Sequence, residues 1–179
     1  MRWAEPRTPR MGQAELEDQI EQSHAAAFGW ALSCCERRRE EAQDVLQTVY
    51  FKILDGRAAY SGNSSFRTWL FSLIRITALD RRRSWFRRMA RDGAVPLRLA
   101  SADRESELIA AERSRAVEDA LRLLSERQRE VLHLAFYQEM TIEDAAEVMG
   151  VALGTARSHY ERGKARLREL LADELGERT

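Results

Sequence analysis

The chain is poor in the residues that break or staple a fold. Nine glycines and three prolines among 179 residues are too few for an architecture of many tight turns, which argues against an all-β fold. The only two cysteines are neighbours, Cys34 and Cys35. A disulfide between adjacent residues is strained, and two thiols make neither a scaffold nor a tetrahedral metal site, so they read as free thiols on a helix. His24, His133 and His159 are scattered without ligand spacing, and no metal or other cofactor is expected. No apolar run approaches the ~18 residues of a membrane span, and the opening MRWAEPRTPRMGQ lacks the apolar stretch of a secretory signal. Direct membrane insertion is therefore not expected, and the expected location is the cytoplasm. A glycine-rich phosphate loop, a His-Glu-x-x-His pair and a serine or cysteine nucleophile in a recognisable turn are missing too, so the chain does not read as an enzyme.

An excess of one charge is also lacking: 29 basic side chains meet 29 acidic ones. That balance hides two facts. Lysine occurs only at Lys52 and Lys164, and the other 27 basic residues are arginine, the side chain suited to phosphate forks and to stacking on bases. Seven of them fall between Arg75 and Arg91, opposed there by Asp80 alone, while acidic residues gather at 15–21, 40–44 and 103–119. The sequence thus describes a neutral protein with a local basic patch.

Abundant Ala, Leu, Glu and Arg make helix the expected element, and the fold class expected is all-α. Residues 1–13 are aperiodic and read as a disordered arm, with Met11 a second candidate start. Helices are expected from Ala14 to about Arg38, from Glu40 to Leu54, and from Phe66 to about Met89. The second has Ala42, Val45, Leu46, Val49 and Ile53 as its core stripe; the third has Trp69, Leu70, Leu73, Ile74, Ile76 and Thr77. Residues 92–104 hold Gly93 and Pro96 and lose helical period, which marks a linker between a first domain at 14–91 and a second at 105–174. Four helices are expected in the second: 105–124, 125–137 opened by a Ser125/Gln128 capping box, 141–150 closed by Gly150, and 155–174.

The last two form a helix-turn-helix, whose second helix enters the major groove with its N-terminal turns on base edges and phosphates. Ala156, Tyr160, Gly163, Leu167 and Leu171 make its inward stripe, with Gly163 permitting close approach. Thr155, Arg157, Ser158, His159, Arg162 and Lys164 remain as candidate duplex-reading residues, with Thr155 and the first-turn N–H groups suited to a phosphate. In the first domain, Arg75, Arg81, Arg82 and Arg83 follow the polar turn Asn63-Ser64-Ser65 and precede Trp85 and Phe86. Basic groups track a backbone while aromatics stack on unpaired bases, so this is a candidate single-strand surface. Asp44, Gln47, Thr48 and Phe51 lie on the side of their helix away from the core stripe, a candidate protein contact.

In order and spacing these motifs resemble the extracytoplasmic-function (ECF) group of sigma-70-type bacterial transcription initiation factors, over roughly residues 14–172. Ala42-x-Asp44-x-x-Gln47 is similar to that family's polymerase-docking helix. Phe66-Arg67-x-Trp69-Leu70 with Arg75, Asp80 and Arg83 is similar to its promoter-melting segment. Leu124, Arg129, Leu132 and Leu134, then Asp144-x-Ala146 and Gly154-Thr155-x-Arg157-Ser158, resemble its C-terminal helix-turn-helix. Gln43 and Thr48 stand where acidic residues are usual in the family, and His159-Tyr160 where Arg-Leu is commoner. The resemblance implies a σ2 domain and a σ4 domain joined by a flexible linker. It implies that σ2 binds the clamp region of the large subunit of core RNA polymerase and captures an unpaired base of the −10 promoter element. It implies that σ4 reads the −35 element, and that an anti-sigma factor, often membrane-anchored, holds the protein inactive. Two other readings of the residues remain open: a helix-turn-helix regulator acting alone, with 14–91 as a dimerisation or sensing domain, and a redox or metal sensor built on Cys34 and Cys35.

Overall fold

A computed structural model describes residues 11–91 and 117–176, residues 173–176 by backbone alone. Residues 1–10, the expected 92–104 linker and the first part of the helix expected at 105–124 lie outside the described residues. All regular structure among those described is helical, and the chain divides into two compact units, 1–99 and 100–179.

The first unit packs α1 (Gln13–Cys34), α2 (Arg39–Leu54) and α3 (Phe66–Arg91) on one another. The α2 stripe is buried as its periodicity requires: Ala42, Val45, Leu46, Val49 and Ile53 all face the core. Trp30 of α1 is fully enclosed against Phe71 of α3. Its indole N–H donates to the Phe71 carbonyl at 3.0 Å, so the polar end of a large apolar side chain is satisfied inside the core. α1 stops at Cys34, short of the expected Arg38. Glu36 and Arg37 both adopt left-handed φ values of 54° and 63°, which reverses the chain, and the Arg37 N–H donates back to Leu32 at 2.8 Å. On α3 the core stripe is Leu70, Phe71, Ile74, Thr77 and Ala78. Ile76, expected on that face, is 52% exposed, because two positions along a helix lie roughly 200° apart and Ile74 already points inward. Leu73 and Trp69 are half-buried at the stripe's margin.

In the second unit residues 117–122 are helical and lead to α4 (Glu126–Leu132). The capping box at its start is complete: Ser125 Oγ accepts from the Gln128 N–H and the Gln128 side chain accepts from the Ser125 N–H. The helix expected to run to Tyr137 instead widens into a π-helical turn, His133–Tyr137. Thr141 caps α5 (Ile142–Met149), accepting from the Asp144 N–H at 3.1 Å, and Gly150 ends it at φ 63°, where a Cβ would strain the backbone. α6 (Leu153–Gly176) begins two residues earlier than expected. Gly163 sits where a Cβ would lie 3.1 Å from Gln128 Cβ and 3.2 Å from Leu132 Cδ1, so its lack of a side chain sets how closely α6 approaches α4.

Candidate nucleic-acid and protein interfaces

On α6, with about 3.6 residues per turn, Ala156, Tyr160 and Gly163 turn inward while Thr155, Ser158, His159 and Arg162 share an outer face. Arg157, two positions on from Thr155 and so roughly 200° around the helix from it, is exposed on a different flank, beside α5. Thr155, Arg157 and Arg162 are exposed; Ser158, His159 and Lys164 are half-buried. One carboxylate oxygen of Glu143, on α5, lies 3.5 Å from a terminal nitrogen of Arg157, so the first helix of the motif holds one edge of the guanidinium. Lys164 is less free than its sequence position suggests: its ammonium lies over the Tyr160 ring at 4.9 Å and within 3.7 Å of Glu161. Thr155 is not a free first-turn donor either. Because α6 starts upstream, its N–H donates to the Ala152 carbonyl at 2.9 Å, which corrects the phosphate role expected for that N–H.

In the first unit the polar loop before α3 sits on an aromatic cluster that sequence reasoning missed. Tyr60, Phe66 and Trp69 meet pairwise at ring separations of 5.4–5.6 Å. The Tyr60 hydroxyl donates to the Ser64 carbonyl, fixing the loop over the rings. Asn63 and Ser65 are exposed and Ser64 half-buried; Ser65 also spends its hydroxyl on capping α3, accepting from the Thr68 N–H at 3.0 Å. The signal for this cluster was present in Tyr60, Phe66 and Trp69, but their meeting depends on how the loop folds back onto α3.

The arginines that follow divide. Arg75, expected among the strand-contacting residues, is only 7% exposed, one position after Ile74 on the core side of α3, and does not present its guanidinium to a strand. Arg81 and Arg83 are exposed and Arg82 half-buried. Arg83 lies 3.7 Å from Asp80 one turn away. Beyond them Trp85 and Phe86 meet edge to face at 5.0 Å, with Phe86 half out in solvent.

Three of the four residues expected to meet a protein partner line one open groove of about 720 Å³ between α1 and α2: Asp44, Gln47 and Phe51. Phe51 is 60% exposed. Thr48 does not line the groove, and its hydroxyl donates to the Asp44 carbonyl at 2.8 Å. α1 adds His24 and Phe28, and Arg39 opens α2; these lay outside the expected set because only the packing of α1 on α2 brings them there. His24 Nδ1 and the Tyr50 hydroxyl, 3.1 Å apart, tie the two helices across the groove. Burial pushes the Tyr50 phenol up to about 12.

The family models that match this chain are sigma-70 region 2, over residues 20–89, and sigma-70 region 4, over residues 114–167. The chain is 30% identical over 156 residues to the ECF RNA polymerase sigma factor SigM of Mycobacterium tuberculosis, covering 86% of this chain and 76% of that protein. It is 27% identical over 162 residues to the RNA polymerase sigma factor YlaC of Bacillus subtilis, covering 85% and 91%. Among solved structures it is similar to the sigma factor RpoE bound to the anti-sigma factor NepR from Bartonella quintana. That match has a TM-score of 0.72 at 25% identity and covers 88% of this chain and 97% of that one. It shares its fold with CnrH, solved with the cytosolic domain of CnrY, at a TM-score of 0.62 and 20% identity, covering 90% of each.

Proposed function

This chain belongs to the sigma-70 family of RNA polymerase sigma factors, in its ECF group, and on that premise we propose how its surfaces divide promoter-specific initiation between them. The groove between α1 and α2, with Asp44, Gln47 and Phe51, docks on the clamp region of core RNA polymerase. The Asn63–Ser65 loop and Arg81, Arg82 and Arg83 hold the separated strand of the −10 element. The outer face of α6, from Thr155 to Arg162, reads the −35 element as duplex. The protein supplies no catalytic group of its own; bond formation belongs to the polymerase. It works in the cytoplasm with that enzyme, and an anti-sigma factor restrains it, as NepR accompanies RpoE in the related complex.

One observation carries the proposal: exposed arginines and a candidate protein-docking groove occupy the first unit, while the second presents a capped helix-turn-helix with Arg157 and Arg162 outward. A regulator acting alone would bind symmetric duplex tightly without polymerase. Run-off transcription with purified core polymerase on a library of random promoter templates separates the two. A discrete start site that appears only when both proteins are present is the expected result. Tight duplex binding by the chain alone, with initiation by core enzyme unaltered, would refute it.

A further inference from the structure

Asp44 and Arg81 stand 37 residues apart in sequence, on α2 and α3, yet Arg81 Nη2 donates to Asp44 Oδ2 at 2.8 Å. The function proposed above sends them to different partners, Asp44 to the polymerase clamp and Arg81 to promoter DNA. In the free chain each is held by the other. We infer that this ion pair is a gate: a cationic group of the clamp that engages Asp44 releases Arg81 to the DNA strand, so that polymerase binding and strand capture are coupled through one contact. The inference rests on that proposed function and adds the link between its two surfaces.

The geometry suits exchange. The side chains are 57% and 45% exposed, so both partners can reach the pair without opening the core. Exposed ion pairs are weak, which a gate requires, since a strong pair would resist exchange. While Arg81 stays on Asp44, a phosphate approaching the guanidinium also meets the Asp44 carboxylate, and like charges oppose its approach. A cation on Asp44 removes that repulsion and frees the guanidinium's donors together. The Asp80–Arg83 contact, by contrast, spans one turn of α3 and so links no second helix to the strand surface. Because coupling between binding sites is reciprocal, DNA held by Arg81 must tighten polymerase binding by the same factor.

The test uses the full chain, free and assembled with core polymerase. Affinity for a fluorescein-labelled, random-sequence single-stranded oligonucleotide is measured by anisotropy and corrected for core enzyme alone. Arg81→Gln is expected to lower the assembled enzyme's affinity roughly two- to fivefold, the range that an exposed ion pair supports, and to change the free chain's affinity by less. Asp44→Asn is expected to raise the free chain's affinity by a similar factor, and Arg81→Gln added to it is expected to abolish that gain. Circular dichroism of each variant checks that the helices persist. Equal losses for Arg81→Gln in both states would overturn the gate, as would an Asp44→Asn gain that survives in the double variant and so reflects net charge alone. These outcomes are distinct from failure of the proposed function: a wild-type chain that directs no start site in the run-off assay removes the polymerase role, whereas a normal start site with equal Arg81→Gln losses removes only the gate.

Discussion

Arg157 and Arg162 differ in the company they keep. Arg157 has the Glu143 carboxylate 3.5 Å away, and both side chains are well exposed, so the contact contributes at most about 1 kcal/mol. A bidentate arginine–guanine contact contributes about 1–3 kcal/mol of discrimination, enough to draw Arg157 off Glu143 at a matching base pair. Arg157→Ala is therefore expected to cost roughly 1–3 kcal/mol at one −35 position and to relax preference there, read from binding by the assembled enzyme to a set of single-base promoter variants. Uniform weakening across the set would assign Arg157 to a phosphate instead. Cys35 makes a second residue-scale test. Burial, with Glu41 nearby, pushes its thiol from 9.0 up to about 11, so the folded chain holds that proton more tightly than the unfolded chain does. The stability gained by burying a neutral thiol is complete below about pH 9 and is lost as pH rises from 9.0 to about 11. Tyr50 acts in the same direction between 10.0 and about 12. The thermal midpoint followed through tryptophan fluorescence, to which the buried Trp30 contributes, is expected to fall above pH 9, and Cys35→Ala to flatten the first part of the fall; a midpoint unchanged up to pH 11 would contradict this.

At the scale of the element, ends matter more than middles. α4 has seven residues and starts with a complete Ser125/Gln128 box, so a large share of its local stability lies in two side-chain hydrogen bonds. Ser125→Ala is expected to cost about 1 kcal/mol in urea denaturation followed by circular dichroism, with Ser125→Asp recovering most of it; no measurable loss would mean that packing alone fixes the start of α4. Caps of this kind were legible in the sequence because their chemistry is local: Ser125, Thr141 and Gly150 each do what their residue types dictate within four positions. The α2 stripe was legible for the same reason, and with it the outward positions of Asp44, Gln47 and Phe51. Contacts between helices were not. The burial of Arg75 follows from how α3 packs on its neighbours, and the residue types at Glu36–Arg37 and at 133–137 do not announce a left-handed pair or a π-turn. The pairing of Asp44 with Arg81 depends on packing too, since spacing shows which residues share a helix face but not which helix crosses it.

For the molecule as a whole, equal totals of 29 basic and 29 acidic side chains leave no net charge to attract DNA from a distance. What attraction exists is local, because at physiological ionic strength a charge patch acts over about 8 Å. The run Arg81–Arg83 on α3 can then hold a strand only when something else brings the strand to it, which fits a subunit whose DNA is delivered by a larger enzyme. The same reasoning fixes how salt should act on the assembled enzyme. Each phosphate neutralised by an arginine releases counterions, and the slope of log affinity against log salt changes by about 0.7 per contact on a separated strand and about 0.9 on duplex. Replacing Arg82 and Arg83 together by glutamine is expected to make that slope shallower by about 1.4 if both lie on phosphates of the melted strand. Affinity should fall by a similar factor on every promoter sequence, because phosphate contacts carry no base information. A lower affinity at an unchanged slope would place the two side chains on bases, and no change in either would move strand capture away from this part of α3, leaving the Asn63–Ser65 loop to hold the strand without them.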